Sequence, residues 1–349
     1  MKAAIFREFS GPLNVEEIDT PACPPNGVIV KVEACGVCRS DVHAWQGVDP
    51  DVSPPHVPGH EFAGIVEEAG PDCTRYRKGD RVTAPFILAC GECHECLGGD
   101  PTVCDHQHVL GFSGHGAFAQ YCAVPHADFN LVRLPDAIGF VEAAGMGCRV
   151  STAFRGIVDR AKLQPGETMV VHGCGGVGLS AIMIGAAMGA KVIAVDIDEA
   201  ALKLATGMGA SETLNASSID DVGNAVRERT GGGAHVSIEG LGVTATFHNS
   251  VRSLRKLGRH VQIGMPVGAH ANPVVPLLET VYSRQIQIMG TRGIAARRFP
   301  AMLTMVESGK IDPARLIKRA VALNKAGEAL AELERFASPG VTVIDQFDA

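Results

Sequence analysis

The stretch from Met169 to Ala190, MVVHGCGGVGLSAIMIGAAMGA, leaves few folds open. It carries no formal charge and is long enough to cross a bilayer. Its glycines argue against that reading: six fall in the stretch, bunched early, and the chain runs straight on into KVIAVD, which ends at Asp196. A buried strand, a tight glycine turn, a helix and a second strand account for the pattern. The alternation continues downstream. Ser218 to Thr230 reads as a helix, AHVSIEGLG as a strand, Thr244 to Lys256 as a helix and GRHVQIGMP as a strand. Helices alternating with strands predict an α/β chain whose parallel sheet is covered on both faces.

Gly173, Gly175 and Gly178 form G-x-G-x-x-G, with Gly176 and Val177 filling the spacer. The first glycine permits the tight turn, the second a close approach of pyrophosphate to backbone, and the third close helix–strand packing. The helix N-terminus that follows favours the phosphate anion. Asp196 lies 18 residues beyond Gly178, about where a ribose-binding carboxylate belongs. A carboxylate there accepts from both ribose hydroxyls and repels a 2′-phosphate, and the nearest following base is Lys203. The expectation is a doubly wound Rossmann domain that binds NAD rather than NADP.

A chain of 349 residues exceeds one ordinary core and implies two domains. The composition, 46% hydrophobic and 20% charged, is that of a soluble globular protein. The net charge of −7 is dispersed, with no basic stripe, which argues against nucleic acid as a partner. Arg7 and Glu8 stand where a signal peptide would need an apolar core, so MKAAIFREFS reads as a strand and the protein as cytoplasmic, without a membrane partner. In a reducing compartment the 11 cysteines argue for metal ligation over disulfides.

CGECHECLGGDPTVC sets Cys90, Cys93, Cys96 and Cys104 at C-x2-C-x2-C-x7-C. Four thiolates suit a closed tetrahedral zinc site, which orders a loop and leaves no position for substrate. His94, His106 and His108 lie close enough to replace one thiolate. A ferredoxin run would place a proline after the fourth cysteine, and none is present. The chemistry must then come from elsewhere. ACGVCRSDVHAWQG, VPGHEFAG and GMGCRVSTAF offer Cys35 or Cys38, His60 and Cys148. Two cysteines and a histidine would leave a fourth position open, the pattern of a catalytic zinc.

The order of these motifs resembles the zinc-dependent medium-chain alcohol dehydrogenase family over essentially the whole chain, in its bacterial and yeast-like tetrameric branch. The resemblance rests on Cys-Arg-Ser-Asp-x-His at residues 38–43, Gly-His-Glu at 59–61, the four-cysteine lobe, Cys148 followed by Ser151-Thr152, and the glycine fingerprint. It implies a GroES-like β-barrel catalytic domain at 1–150 and 289–349, with the zinc lobe at 90–104. An NAD-binding Rossmann domain at 151–288 is implied between them. It also implies two zinc ions per chain, the catalytic one held by Cys38, His60 and Cys148, with Cys35 a buried thiol. Cys23, Cys73 and Cys122 are expected to be the same. Glu61 is implied to approach the metal, Asp41 to orient His60, Ser40 and His43 to relay the alcohol proton, and Thr152 to neighbour the nicotinamide. Trp45 and Phe86 become candidates for the wall of the substrate pocket.

The implied activity is reversible hydride transfer between an alcohol and NAD, giving an aldehyde or ketone. Polyol dehydrogenases share the fold, but in that branch a glutamate typically stands where Cys148 stands here. A non-catalytic zinc- and NAD-binding relative would be expected to have lost Ser40, His43 or a ligand. The short connection from Cys104 to Cys148 resembles the tetrameric members and implies a homotetramer. Arg149 departs from the commonest pattern, and phosphate or a carboxylate such as Glu142 are its candidate partners.

Overall fold

The computed structural model describes residues 1–335 and 340–348. The chain divides into two compact units. One comprises Met1–Ser151, Gly293–Ser308 and Pro313–Ala349, and the other Thr152–Arg292 with Gly309–Asp312. Residues 289–292 and Gly309–Asp312 thus group apart from the rest of 289–349. The Asp312 N–H points at the Met183 sulfur, 3.3 Å away, which ties this turn to the helix Gly176–Ala187.

The second unit is a six-stranded parallel sheet. Its spatial order is Glu212–Asn215, Lys191–Asp196, Thr168–His172, Ala234–Glu239, Leu254–Gln262 and Gln287–Gly290. The order reverses beside Thr168–His172, which opens a crevice at the carboxyl ends of that strand and Ala234–Glu239. The uncharged stretch becomes the strand Thr168–His172, a glycine turn and the helix Gly176–Ala187. That helix is apolar all round because both its faces are covered, and Gly178 through Gly185 are buried. Among the described residues no helix is long and apolar enough to cross a membrane.

Two helices are shorter than their sequence patterns. The helix expected over Ser218 to Thr230 occupies Val222–Arg229, capped by the Asp221 carboxylate accepting from the Asn224 N–H. The one expected to reach Lys256 is Thr244–Arg252, and Leu254–Gln262 is strand. Ser253 closes the helix by donating to the Asn249 carbonyl, and the buried Leu254 pairs with Ala234. The amphipathic segment AGEALAELERFA is helical over Ala326–Glu334, and its last two residues lie outside the described ones.

Two histidines are buried in this sheet. His172 is within 3.1 Å of the Ser253 hydroxyl through Nε2, and its Nδ1 has no partner. His260 lies 2.9 Å from the Ser250 hydroxyl. Burial holds His172 down to about 3, with His260 adding to the effect, and holds His260 down to about 4. Both are neutral when folded and take up a proton near pH 6.5 when unfolded. The unfolded chain therefore binds more protons between those values, so stability rises with pH across this window and drains as pH falls below about 6.5. Between pH 7 and pH 4.5 the loss should amount to several kcal/mol at about 1.4 kcal/mol per unit and group. The urea midpoint measured against pH should fall steeply for the native protein and less steeply for His172→Gln; equal slopes would contradict this.

The first unit is built on a seven-stranded sheet in which Val28–Val37 pairs with Val341–Gln346, Glu61–Ala69 and Tyr121–Val124. Val28, Val30, Val32 and Phe62 feed its core, and Lys31 between Val30 and Val32 is exposed, while Ile29 and residues 34–37 are buried. The helix Arg39–Trp45 follows Val28–Val37 directly, so Cys38 sits at the junction.

Candidate active site and cysteine lobe

Among the described residues the first unit brings together two groups of side chains of the kinds that ligate metals. Each has its ligand atoms within 4.8 Å of one another: Cys90, Cys93, Cys96 and Cys104 in one, Cys38, His60, Glu61 and Cys148 in the other. In the lobe the sulfur separations are 3.5 Å for Cys90–Cys104, 3.7 Å for Cys93–Cys104 and 4.0 Å for Cys90–Cys96. These are far too long for a disulfide. They match the edge of a tetrahedron, about 3.8 Å when each sulfur sits about 2.3 Å from a central zinc. Backbone N–H groups also point at the sulfurs, from Cys93 to Cys90 and from Cys90 and His106 to Cys104. Such donors favour thiolate, and those of Glu92 and Cys93 help bring the Cys90 thiol down to about 7. His94, His106 and His108 do not join the group.

The second group is assembled from three places. Cys38 caps the helix Arg39–Trp45, His60 and Glu61 open the strand Glu61–Ala69, and Cys148 sits in a π-helical turn, Met146–Val150. Such turns recur where a helix must re-aim a functional side chain. Asp41 organises the cluster. Its fully buried carboxylate accepts from the Cys38 N–H at 2.8 Å, the Gly59 N–H at 3.1 Å and His60 Nδ1 at 2.9 Å. One residue therefore serves as helix cap and as orienter of the imidazole. With Nδ1–H given to the carboxylate, His60 presents Nε2 as its remaining ligand atom. That nitrogen is buried without a hydrogen bond of good geometry, and, against burial, Asp41 and then the Cys38 sulfur beside it raise the imidazole pKa well above its usual range.

An imidazole nitrogen so placed beside two thiols is a donor set that fits zinc. The Cys38 thiol is held well below its usual range by the Cys148 thiol as hydrogen-bond donor, against burial, and by Arg149 and His60. Cys148 is pushed well above its usual range by that same pairing and by burial. The two share one proton, which a metal would displace.

Arg149 is buried with Glu61 rather than set on a phosphate or on Glu142. Its Nη1 lies 3.2 Å from Glu61 Oε2, and its Nη2 donates to the Val37 carbonyl. Burial pushes Glu61 up to about 8, with Arg149 opposing. Gly36 makes room for the carboxylate, since a Cβ there would come within 2.3 Å of Glu61 Oε2.

Ser40 and His43 lie three residues apart on the helix Arg39–Trp45, on one face. The Ser40 hydroxyl is 3.7 Å from the Cys38 sulfur. His43 is partly buried, its Nδ1 has no partner, and burial followed by Arg39 lowers its pKa. Phe86 belongs to an apolar cluster with Phe6, Val109 and Phe112, against which Trp45 and Cys148 pack. The rings of Phe86 and Phe112 meet His60 edge-on at 5.7 and 5.3 Å. The sequence reading did not single out Phe112. The indole N–H of Trp45 donates to the Gly11 carbonyl at 2.7 Å, which fixes the ring. Cys35 and Cys122 are buried, but Cys23 and Cys73, which lie outside helices and strands, are only partly so.

The other expected residues lie in the second unit. Gly173 adopts φ +91°, and a Cβ on Gly178 would fall 1.8 Å from the Gly173 carbonyl oxygen. A Cβ on Gly175 would meet nothing within 4 Å, so the backbone there is open to a ligand. Gly176 and Val177 begin the helix. Asp196 closes the turn: one oxygen accepts from the Cys174 N–H at 2.6 Å, the other from the Ile197 and Asp198 N–H groups. Thr152 is buried at the start of this unit.

Residues 24–136 match the alcohol dehydrogenase GroES-like domain, and residues 176–308 the zinc-binding dehydrogenase domain. An alcohol dehydrogenase of Geobacillus stearothermophilus is 36% identical over 315 residues, covering 89% of this chain and 90% of its own. The chain belongs to the zinc-dependent medium-chain alcohol dehydrogenase family. An NAD-dependent alcohol dehydrogenase of Sulfurisphaera tokodaii is 35% identical, with 99% of each chain covered. Among solved structures, alcohol dehydrogenase TADH from Thermus sp. ATN1 has a TM-score of 0.91 at 29% identity, covering 99% of this chain and all of that one. Membership gives the two units their fold names: a GroES-like domain and a doubly wound nucleotide-binding domain.

Proposed function

We infer that the protein is an alcohol dehydrogenase that transfers hydride reversibly between an alcohol and NAD, giving an aldehyde or ketone. The observation that carries this is the His60 Nε2, without a hydrogen bond of good geometry, held beside the Cys38 and Cys148 sulfurs in a buried site. Three such ligands leave one position open. When bound, zinc there supplies a Lewis acid that lowers the pKa of an alcohol, and NAD supplies the hydride acceptor. Asp41 fixes the His60 ring, Arg149 sits against the buried Glu61 carboxyl, and Phe86 and Phe112 cover the imidazole. Ser40 accepts the alcohol proton as it gives up its own hydroxyl proton to the relay that leads to His43. His43, kept neutral by burial, releases it to water.

The unit beginning at Thr152 binds the dinucleotide, with pyrophosphate at Gly175, Gly176 and Val177, ribose at Asp196 and nicotinamide beside Thr152. Cys90, Cys93, Cys96 and Cys104 hold a second, structural zinc. Trp45 and Phe86 help wall the substrate pocket. The protein is a cytoplasmic homotetramer, a reading supported by its free cysteines and by its short Cys104–Cys148 connection.

The test is absorbance at the NADH band with a panel of primary, secondary and aromatic alcohols. Turnover is expected with NAD, and at least about tenfold lower kcat/KM with NADP, because Asp196 faces the 2′-position; the factor corresponds to about 1.4 kcal/mol. Absence of turnover across the panel, with zinc in both sites, would favour a non-catalytic relative.

A further inference from the structure

Glu239 was not among the expected site residues, and no surface or metal ligand explains it. It ends the strand Ala234–Glu239 at the crevice where the strand order reverses, and it is fully buried. Among the described residues no cation pairs with it. Its two oxygens are instead met by donors from two loops. Oε1 accepts from the Leu241 N–H at 3.0 Å, the Gly242 N–H at 2.9 Å and the Thr246 hydroxyl at 2.5 Å. Oε2 accepts from the Gly242 N–H at 2.9 Å and from the Gln262 amide. The Leu241 and Gly242 N–H groups and the Gln262 amide donate, and a carboxylate is the acceptor-only group that can take them together; the single Thr246 hydroxyl proton is divided between Glu239 and the Val243 carbonyl, 2.9 Å away.

Gln262 ends the next strand, and its amide also donates to the Gly264 carbonyl at 2.8 Å. The Glu239 carbonyl accepts from the Ile263 and Gly264 N–H groups. The loops after both strands are therefore drawn onto one carboxylate. They touch each other closely, since a Cβ on Gly264 would fall 2.2 Å from the Gly242 nitrogen and 2.6 Å from Glu239 Oε2. They also reach the glycine turn. The Gly240 N–H donates to the His172 carbonyl, and the Leu241 Cβ lies 3.3 Å from where a Cβ on Gly173 would stand.

We propose that Glu239 is a positioning residue for the dinucleotide: it holds the 240–242 and 262–264 loops against the Gly173 turn, so that the crevice is shaped before the cofactor arrives. This rests on the reading of the second unit as the dinucleotide-binding one. Glu239 is itself buried beneath the loops and acts through their backbone. Preorganisation of this kind raises affinity by removing the ordering cost from the binding step. The expected signature is weaker cofactor binding with little change in the chemical step.

The test is Glu239→Gln in the zinc-loaded protein. The new amide puts a donor against the donating Gln262 side chain or the Gly242 N–H. NADH binding, followed by its fluorescence, should weaken at least tenfold. KM for NAD should rise in proportion while kcat at saturating NAD stays within about threefold, roughly 0.6 kcal/mol. In the cofactor-free protein, amide hydrogen exchange at Leu241, Gly242 and Gly264 should quicken. Adding Gln262→Glu restores a donor–acceptor pair and should recover part of the lost affinity. Wild-type Kd and wild-type loop exchange in Glu239→Gln would overturn the proposal. If that variant does not fold, Thr246→Val, which removes one donor, decides: a several-fold weaker Kd supports it and an unchanged one overturns it. NADH binding by the native protein, measured in the same titration, tests the dinucleotide reading separately.

Discussion

Cys148→Ser should lower NADH formation by about three orders of magnitude or more, because the Lewis acid contributes several kcal/mol at about 1.36 kcal/mol per tenfold in rate. The hydroxyl of serine is a poor replacement for thiolate, and the ligand set falls to Cys38 and His60. Zinc content should fall from two ions per chain to one while the lobe at Cys90–Cys104 keeps its metal. Elemental analysis together with the absorbance assay checks both parts. A serine variant that keeps two zinc ions and wild-type turnover would remove Cys148 from the catalytic set.

Arg149→Met should cost about 3–5 kcal/mol of stability above about pH 8, where Glu61 is ionised and loses its partner in a buried ion pair, and less at pH 7, where Glu61 is largely protonated. Glu61 is fully buried, and burial already pushes it up to about 8 with Arg149 present. Of the groups that act most strongly on it, only His60 then still favours its charged form. The double variant Glu61→Gln with Arg149→Met should recover much of the loss, since neither charge is then left alone. Urea midpoints at fixed zinc concentration, taken as a double-mutant cycle, measure the coupling. Additive effects, each below about 1 kcal/mol, would mean that the pair is not coupled.

The parts of the site that could be read from the sequence are local ones. The glycine turn and Asp196 belong to a single strand–helix–strand run, and the lobe closes within Cys90–Cys104, so spacing alone limits their geometry. Cys38, His60 and Cys148 are far apart in sequence, and only the order of several motifs marked them as one set. Asp41 could be named because it lies in the same motif as Cys38. Arg149 could be noticed as unusual, but its partner could not be read. Glu61 meets it only because Val28–Val37 pairs antiparallel with Glu61–Ala69, and Gly36, opposite Glu61, leaves the space.

Phe112 and Glu239 illustrate what spacing cannot show. Phe112 reads as one more apolar residue in a glycine-rich loop, and its ring meets His60 only through the fold. Glu239 ends an apolar strand and is followed by Gly-Leu-Gly, a carboxylate where a buried run would be expected to continue. That was a usable signal, but its partners Gln262 and Thr246 come from elements whose adjacency depends on strand order. The helix ends were misjudged for a similar reason. Leu254 continues an amphipathic pattern, yet its pairing with Ala234 takes it into the sheet.

The most direct measurement is a chelator titration that follows NADH formation, zinc content and circular dichroism on the same samples. Turnover should vanish in step with the loss of one zinc per chain while the protein remains folded, and it should return when zinc is added back. Turnover that persists after both ions have left would contradict a zinc-dependent alcohol oxidation at Cys38, His60 and Cys148.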